Sequence, residues 1–179
     1  MRNQLVLVAY GSKRGGTAEI AQWVGDTLRA SGLRVEVRPA AEVRKVDAYD
    51  VVIVGGALYA GRWHKDARRF VRRHAGALRA RRVWLFASGP LDRSAEQDGR
   101  TPVPAALVRA AGTVGARGHI VFGGRLSPDA KGFPAAAMAK KVAGDYRNEA
   151  RVRTWAAGLM AGMAEPAPHR PAEPESVGP

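Results

Sequence analysis

Apolar positions along the chain fall into short runs separated by longer segments with a helical repeat. The runs have the length of strands and cover residues 5–9, 33–38, 51–55, 83–87 and 119–122. Most of them are continuous and not alternating, which is typical of strands covered on both faces of a parallel sheet. The pattern therefore predicts five parallel strands.

The segments between these runs are long enough for crossover helices. Predicted helices cover residues 17–30, 65–78, 103–114 and 134–143, and a last one covers 149–163. The last helix carries an apolar stripe at spacings of three and four: Val152, Trp155, Ala156 and Leu159. Alternating strands and helices predict a doubly wound α/β sheet with right-handed crossovers, whose ligand site lies beyond the carboxyl ends of the strands.

Length and composition indicate one folded domain followed by a short tail. The chain has 179 residues and 46% hydrophobic residues, enough for one substantial core, which we assign to residues 1–164. Residues 165–179 contain five prolines and no periodicity, so we expect a disordered tail there. We find no signal peptide pattern and no apolar stretch long enough to span a membrane, and therefore expect a cytoplasmic protein.

The chain contains no cysteine. This excludes disulfides, cysteine-bound zinc, iron–sulfur clusters and thiol nucleophiles. Any redox chemistry must then come from a bound cofactor, and we predict neither a metal site nor a catalytic side chain.

A glycine-rich loop follows the first predicted strand and opens the first predicted helix. Glycine amides, the helix N-terminus and two hydroxyl groups can together surround a phosphate. An ordinary capped turn that binds nothing would use the same residue types. The candidate phosphate-binding residues are Ser12, Lys13, Arg14, Gly15, Gly16 and Thr17.

Several phosphate ligands are disfavoured by residues that the loop and its neighbours lack. A nucleoside triphosphate loop needs Lys-Ser/Thr where this chain has Thr17-Ala18. A Rossmann dinucleotide site needs an acidic residue at the end of the second strand, which here ends in Val37-Arg38-Pro39. A phospho-receiver needs clustered carboxylates at the strand ends, and these are missing. A monophosphate compound remains.

Residues 10–21, YGSKRGGTAEIA, resemble the FMN phosphate loop of flavodoxins, written (S/T)-x-T-G-x-T and followed by an acidic and an aliphatic residue. Ser12, Gly15 and Thr17 match this pattern. Arg14 departs from it, because it puts a cation where many flavodoxins have a hydroxyl group. The resemblance implies an FMN-binding domain with a flavodoxin-like sheet in the order 2-1-3-4-5.

A second loop follows the third predicted strand. This loop reads GGALYAGRWH at residues 55–64, and the helix after it contains FVRRHA at residues 70–75; together they resemble the flavodoxin-type menaquinone-dependent protoporphyrinogen dehydrogenases. An aromatic ring on the face of a flavin excludes water and tunes its reduction potential, and Tyr59 and Trp63 are the candidates, although both could simply cover the sheet edge. His64 could reach the flavin, but we favour a role as cap of the following helix. The residues assigned to cofactor binding here are Ala57, Leu58, Tyr59, Ala60, Gly61 and Trp63.

A third loop follows the fourth predicted strand. In flavodoxin-like proteins this loop meets the polar edge of the flavin through its backbone, which requires small residues. The Ser-Gly-Pro sequence is also an ordinary turn. By resemblance, the residues assigned to cofactor binding in this loop are Ser88, Gly89, Pro90 and Leu91.

The chain is strongly basic, with 29 Lys and Arg against 16 Asp and Glu, a formal charge of +13. Drift of a GC-rich genome toward arginine would explain part of this. Arg68, Arg69, Arg72 and Arg73 fall on one helical face, which is either a solvated surface or a contact with an acidic redox partner or an anionic membrane. Nucleic-acid binding is disfavoured, because no stacking-aromatic motif or recognition helix is present.

These observations favour a flavin-dependent oxidoreductase that is similar to the protoporphyrinogen dehydrogenases and passes electrons to a quinone or another small molecule. A flavodoxin-type electron carrier is the first alternative, although such carriers are usually acidic. A flavin-free interaction module is the second alternative.

Overall fold

The computed structural model describes residues 4–89, 91, 102–130 and 141–165. Eight strands are seen: β1 Leu5–Gly11, β2 Arg34–Pro39, β3 Val51–Tyr59, β4 Arg62–Trp63, β5 Arg82–Ser88, β6 Gly118–Phe122, β7 Arg125–Leu126 and β8 Gly144–Asp145. Five helices are labelled here: α1 Gly16–Ala30, α2 Lys65–Arg73, α3 Ala75–Arg79, α4 Ala105–Val114 and α5 Glu149–Ala164.

The central sheet has the order β2-β1-β3-β5-β6, and all five strands are parallel. Val8 of β1, for example, lies between Val37 of β2 and Ile53 of β3. Counting only the five predicted strands, this order is 2-1-3-4-5, so the predicted fold is confirmed. The short β4, which pairs antiparallel with the end of β3, was not predicted.

Apolar layers cover both faces of the sheet, which explains the continuous apolar runs. On one face Leu7 and Val52 join the layer that contains α2, α3 and α4. On the other face Val6 and Ile53 join the layer that contains α1 and α5. Each strand must therefore be apolar at successive positions.

The structure changes two of the predicted helices. Residues 65–78 form two helices and not one, with His74 between α2 and α3. The single-helix prediction was wrong because the apolar repeat continues across the break: Phe70, Val71 and Leu78 are all buried. Most of the helix predicted at 134–143 falls in 131–140, outside the described residues.

The last predicted helix is present as α5, which begins where the side chain of Asn148 accepts a hydrogen bond from the amide of Arg151. Val152, Ala156 and Leu159 of its stripe are buried, and Trp155 lies edge-on to Phe122. In the part of the chain that the structure covers, no helix is both long enough and apolar enough to cross a membrane.

Strands β7 and β8 form a two-stranded antiparallel ribbon outside the main sheet. This ribbon lies beside the N-terminus of α1, because a Cβ atom on Gly16 would be 3.5 Å from the Cβ of Arg125. The ribbon therefore borders the loop predicted to bind phosphate.

Candidate functional site

The first loop connects the end of β1 to the start of α1. Gly15 has a φ of +80°, a left-handed conformation that favours glycine, and its amide donates a 3.1 Å hydrogen bond to the Ser12 hydroxyl. Thr17, in the first turn of α1, is only 2% exposed, and its side-chain hydroxyl lies at the N-terminal end of the helix. This hydroxyl and the first amides of α1, which have no partner within the helix, form a donor set suited to a phosphate.

Two cationic side chains belong to the same loop. Lys13 is exposed and Arg14 is partly exposed. Both lie near the N-terminus of α1, where the helix dipole also favours an anion. The chemistry of the loop thus fits a phosphate group, including at the position where Arg14 replaces a hydroxyl residue.

Glu19 lies in the first turn of α1, where a free carboxylate would repel a phosphate. Its carboxylate is 2.6 Å from the guanidinium of Arg147 and 3.6 Å from that of Arg125. These two cations offset the negative charge of Glu19 next to the loop.

Arg147 connects the ribbon to α1. Its side chain is only 4% exposed, bonds both carboxylate oxygens of Asp145 at 2.7–2.8 Å, and donates to the carbonyl of Gly16 at 3.2 Å. The guanidinium also lies 5.0 Å from the ring centre of Trp23. Its hydrogen bonds hold the pKa of Asp145 below its ordinary value. Arg147 therefore fixes the position of β8 relative to α1.

An open cleft of about 430 Å³ lies between the ribbon and α1. Acidic, basic and neutral polar side chains all line this cleft. Its lining residues are Glu19, Arg125, Leu126, Ser127, Pro128, Gly144, Asp145 and Arg147.

The second loop is a tight hairpin between β3 and β4. Ala60 and Gly61, at its tip, have φ values of 48° and 72°, as expected for a two-residue turn with both central residues left-handed. Leu58 pairs with Trp63, and Tyr59 pairs with Arg62. Tyr59 is 39% exposed, so its ring is available to a flat ligand, and Ala57 just before it is 8% exposed.

Trp63 does not share this exposure, which corrects the expectation that both aromatic side chains present a ring face. It is 1% exposed and belongs to the core layer of α2 and α4. Its indole N–H donates a 3.1 Å hydrogen bond to the carbonyl of Phe86. Successive residues of a strand point to opposite faces, so Trp63 points inward while the neighbouring Arg62 is exposed.

His64 is confirmed as the cap of α2. Its Nδ1 accepts a 3.2 Å hydrogen bond from the amide of Asp66. The ring is 9% exposed, and burial lowers its pKa, so the ring is neutral at pH 7 and Nδ1 keeps its lone pair. His64 also lies against the end of β1, because a Cβ on Gly11 would come within 2.6 Å of Nδ1.

The third loop begins at the buried Ser88, at the end of β5, and packs closely on its neighbours. The Gly89 amide donates to the carbonyl of Phe122 at 3.1 Å, so this N–H is already used within the protein. A Cβ on Gly89 would be 2.4 Å from the Cβ of Leu58, which explains the need for glycine. Leu91 packs against Leu126 of the ribbon, and Pro90 lies outside the described residues.

The three loops lie side by side at the carboxyl edge of the sheet. Gly11 at the end of β1 is in register with Gly56 of β3, and Ala57 of β3 is in register with Ser88 of β5. The ribbon adds Arg125 and Arg147 to this edge. Their part in it could not be predicted from the sequence, because Glu19 and Arg147 are 128 residues apart and no local pattern connects them.

The fold and the three loops together define a flavodoxin-like protein. The flavodoxin domain family model matches residues 7–146, and the chain belongs to this family. Membership implies a flavin cofactor, generally FMN, together with redox partners.

Individual relatives give a finer comparison. The protoporphyrinogen IX dehydrogenase [quinone] of Escherichia coli K12 is 27% identical over 101 residues, which is 54% of this chain and 53% of that protein. The match thus spans about half the length of this relative. The Streptococcus pneumoniae TIGR4 flavodoxin has a TM-score of 0.57 at 20% identity and is covered over 99% of its length by 88% of this chain. Flavodoxin 1 of Bacillus cereus has a TM-score of 0.59 at 13% identity, and the match covers 88% of this chain and 97% of that flavodoxin.

Proposed function

We propose that this protein binds FMN across its three loops and acts as a flavin-dependent oxidoreductase. The observation that carries the proposal is the position of these loops at the ends of the adjacent strands β1, β3 and β5. Ligands of doubly wound sheets bind at this edge. The donor set at the start of α1 suits the phosphate of such a ligand.

The phosphate is assigned to the first loop. The hydroxyls of Ser12 and Thr17 and the backbone amides of Lys13, Arg14 and Gly16 would hold it. Arg14 would add a positive charge in place of a hydroxyl donor. Most of the recognition then comes from backbone groups, whose positions depend on the left-handed Gly15.

The flavin ring is assigned to the second and third loops. Tyr59 is the exposed ring that would lie on the flavin, while Trp63 supports the hairpin from the core. One side of the flavin ring would be surrounded by the backbone of Ala57, Leu58, Ala60 and Gly61. Ser88, Gly89 and Leu91 would provide the other side of the ring, with Gly89 acting by its close approach and not through its N–H.

Bound FMN supplies the hydride or electron transfer. The residues of the chain bind and orient it, and Tyr59 excludes water from one face of the ring. Neutral His64 holds the start of α2 against the first loop.

We assign the substrate by similarity. The E. coli relative is a protoporphyrinogen IX dehydrogenase [quinone], and its resemblance supports protoporphyrinogen as reductant and a quinone as acceptor for this chain. The structural likeness to flavodoxins supports a flavodoxin-type electron carrier as the second candidate.

The test of cofactor binding is an FMN titration followed by flavin fluorescence and the visible spectrum. Thr17→Ala should weaken FMN binding roughly tenfold to a hundredfold, because a charge-assisted hydrogen bond contributes about 1.5–3 kcal/mol. The matched control is Thr113→Ala, since the Thr113 hydroxyl donates to the carbonyl of Arg109 in α4, away from the loops. Absence of FMN binding would refute the proposal, and an unchanged affinity of Thr17→Ala would place the phosphate elsewhere.

The substrate assignment has its own test. Holoprotein should oxidise protoporphyrinogen with a soluble quinone faster than the uncatalysed reaction in buffer. No turnover by a protein that binds FMN normally would reject this assignment and favour the electron carrier.

A further inference from the structure

Helix α2 presents a densely basic outer face. Of its nine residues, Lys65, Arg68, Arg69, Arg72 and Arg73 are exposed. None of these five side chains forms an ion pair with a carboxylate of the described residues. The helix has one acidic residue, Asp66, which faces His64 at 3.7 Å. We call these five cations the basic face.

Several arginines elsewhere in the described residues have acidic partners. Arg29 pairs with Asp26, Arg117 with Glu165, and Arg153 with Glu149. Drift of a GC-rich genome toward arginine would explain the number of arginines, but not the clustering of five exposed cations on one nine-residue helix. Unpaired like charges on one helix repel each other, and an anionic partner would remove this cost.

The basic face begins at the candidate cofactor site. His64, the cap of α2, contacts the end of β1 and lies 6.1 Å from the ring of Tyr59. Exposed cations at Lys13 and Arg62 continue the basic face onto the first and second loops. A molecule bound to α2 would therefore also cover the edge of the flavin site.

The apolar side of α2 is not available to a lipid bilayer. Ala67, Phe70 and Val71 are buried against the sheet. A peripheral membrane helix needs an apolar side that can enter the interface. The planar guanidinium of arginine can bond two oxygens of one carboxylate or phosphate group, so the choice of an acidic protein over a membrane rests on the buried apolar side of α2.

We propose that the basic face of α2 is the docking surface for an acidic protein that exchanges electrons with the bound flavin. This inference rests on the proposed FMN site and names the kind of partner that site serves. Docking here brings the partner's redox centre to the loop edge, and complementary charge speeds the encounter.

The test uses an acidic b-type cytochrome as electron acceptor and a basic c-type cytochrome as the opposite-charge probe. FMN in the holoprotein is first reduced to FMNH₂ with dithionite. Each FMNH₂ is then oxidised to FMN by two ferric haems, which become ferrous, and two protons are released to solvent. Stopped-flow absorbance gives the bimolecular rate constant at several ionic strengths.

The wild-type rate with the acidic cytochrome should fall as salt is added, since salt screens the attraction. Arg68→Glu/Arg72→Glu should lower this rate at least tenfold at low ionic strength and raise the rate with the basic cytochrome. The matched control is Arg34→Glu/Arg44→Glu, which changes the net charge equally at exposed positions on β2 and on the connection to β3. Arg68→Gln/Arg72→Gln replaces the α2 variant if melting temperature or FMN affinity shows that the latter is misfolded.

Equal slowing in the α2 and control variants would overturn the proposal, because only overall charge would then matter. The α2 variant could instead lose binding to phosphatidylserine vesicles while its electron transfer to the acidic cytochrome slows no more than in the control. That result would overturn the proposal and show that the basic face binds a membrane. If the protein fails to bind FMN and transfers no electrons to either cytochrome, the proposed function is refuted instead. Calorimetric binding of the acidic cytochrome to the wild type and both variants would then still decide the docking surface.

Discussion

At the scale of single residues, His64 joins several parts of the site. It caps α2, touches the end of β1 and lies near Tyr59. Its cap requires an unprotonated Nδ1, because that atom accepts the hydrogen bond from Asp66. Burial and the cations Lys65, Arg68 and Lys13 lower the pKa of His64, while Asp66 raises it by less than burial lowers it.

The lowered pKa predicts a loss of stability in mild acid. The unfolded chain takes up a proton near pH 6.5, whereas the folded ring resists it to lower pH. The free energy of unfolding should therefore fall as the pH drops from about 7 through 6.5, and level off below the folded pKa. His64→Asn keeps a capping oxygen but cannot titrate, so its stability should depend less on pH over this range.

The measurement is urea unfolding between pH 5 and 7.5. His74 is also buried with a lowered pKa, so part of the pH dependence should remain in His64→Asn. His64→Ala is the control for the cap and should lose about 1 kcal/mol at pH 7. Identical pH profiles for wild type and His64→Asn would show that His64 is not an acid-sensitive group.

The sequence could identify individual candidate residues better than their orientation. Gly15 and Thr17 follow a local pattern, and the structure places both at the start of α1. Tyr59 and Trp63 looked equivalent, because both are aromatic residues of one loop. Only the hairpin turn at 60–61, which sets the register of β4, determines that Trp63 points into the core.

At the scale of elements, the ribbon is held on α1 by charged groups and not by an extensive apolar surface. Leu126 is the buried apolar residue of its small cluster, which also includes Leu91. Arg147 supplies bonds to Asp145, Glu19 and the carbonyl of Gly16. The position of the ribbon thus depends mainly on the guanidinium of Arg147.

Arg147→Gln should therefore disturb both stability and cofactor binding. Its acidic partners are about half exposed, which limits the stability loss to about 1 kcal/mol. In this variant only Arg125 still offsets the charge of Glu19, so FMN binding should weaken about two- to fivefold, the equivalent of 0.3–1 kcal/mol. FMN titration and thermal unfolding of each variant measure the two effects.

The matched partner variant is Glu19→Gln, and the double variant Glu19→Gln/Arg147→Gln completes the cycle. Because removal of Glu19 takes away the repulsion, the double variant should bind FMN more tightly than Arg147→Gln alone. Additive effects on FMN affinity would mean that Arg147 does not act through Glu19.

Helices and strands could be predicted where local patterns define them, and not where contacts between distant residues do. The five long strands and α1, α4 and α5 were predicted closely, since their apolar patterns are local. The ribbon was not predicted, because two-residue strands carry no periodic signal. The same holds for its attachment to α1, which joins residues far apart in the chain.

At the scale of the whole molecule, α5 completes the fold. Val152, Ala156, Leu159 and Met163 belong to the apolar layer shared with α1 and the sheet. The end of the helix is fixed by arginines of the sheet region: Arg82 donates to the carbonyls of Met163 and Glu165. Sequence patterns predicted this helix and its stripe, but not the arginines that hold its C-terminus, since these contacts cross more than 40 residues.

These contacts predict how far the chain can be shortened. Arg82 and Arg117 both bond Glu165, so we expect this residue to be needed together with 1–164 for full stability. A chain ending at Glu165 should keep the melting temperature and FMN affinity of the full chain. A chain ending at Asn148 should not fold, because the buried Val152, Leu159 and Met163 of α5 each contribute roughly 1.5–3 kcal/mol, together comparable with the whole stability of a domain. Calorimetry and FMN titration of the two shortened chains test this, and a clear loss of stability in the longer one would show that residues 166–179 also support the fold.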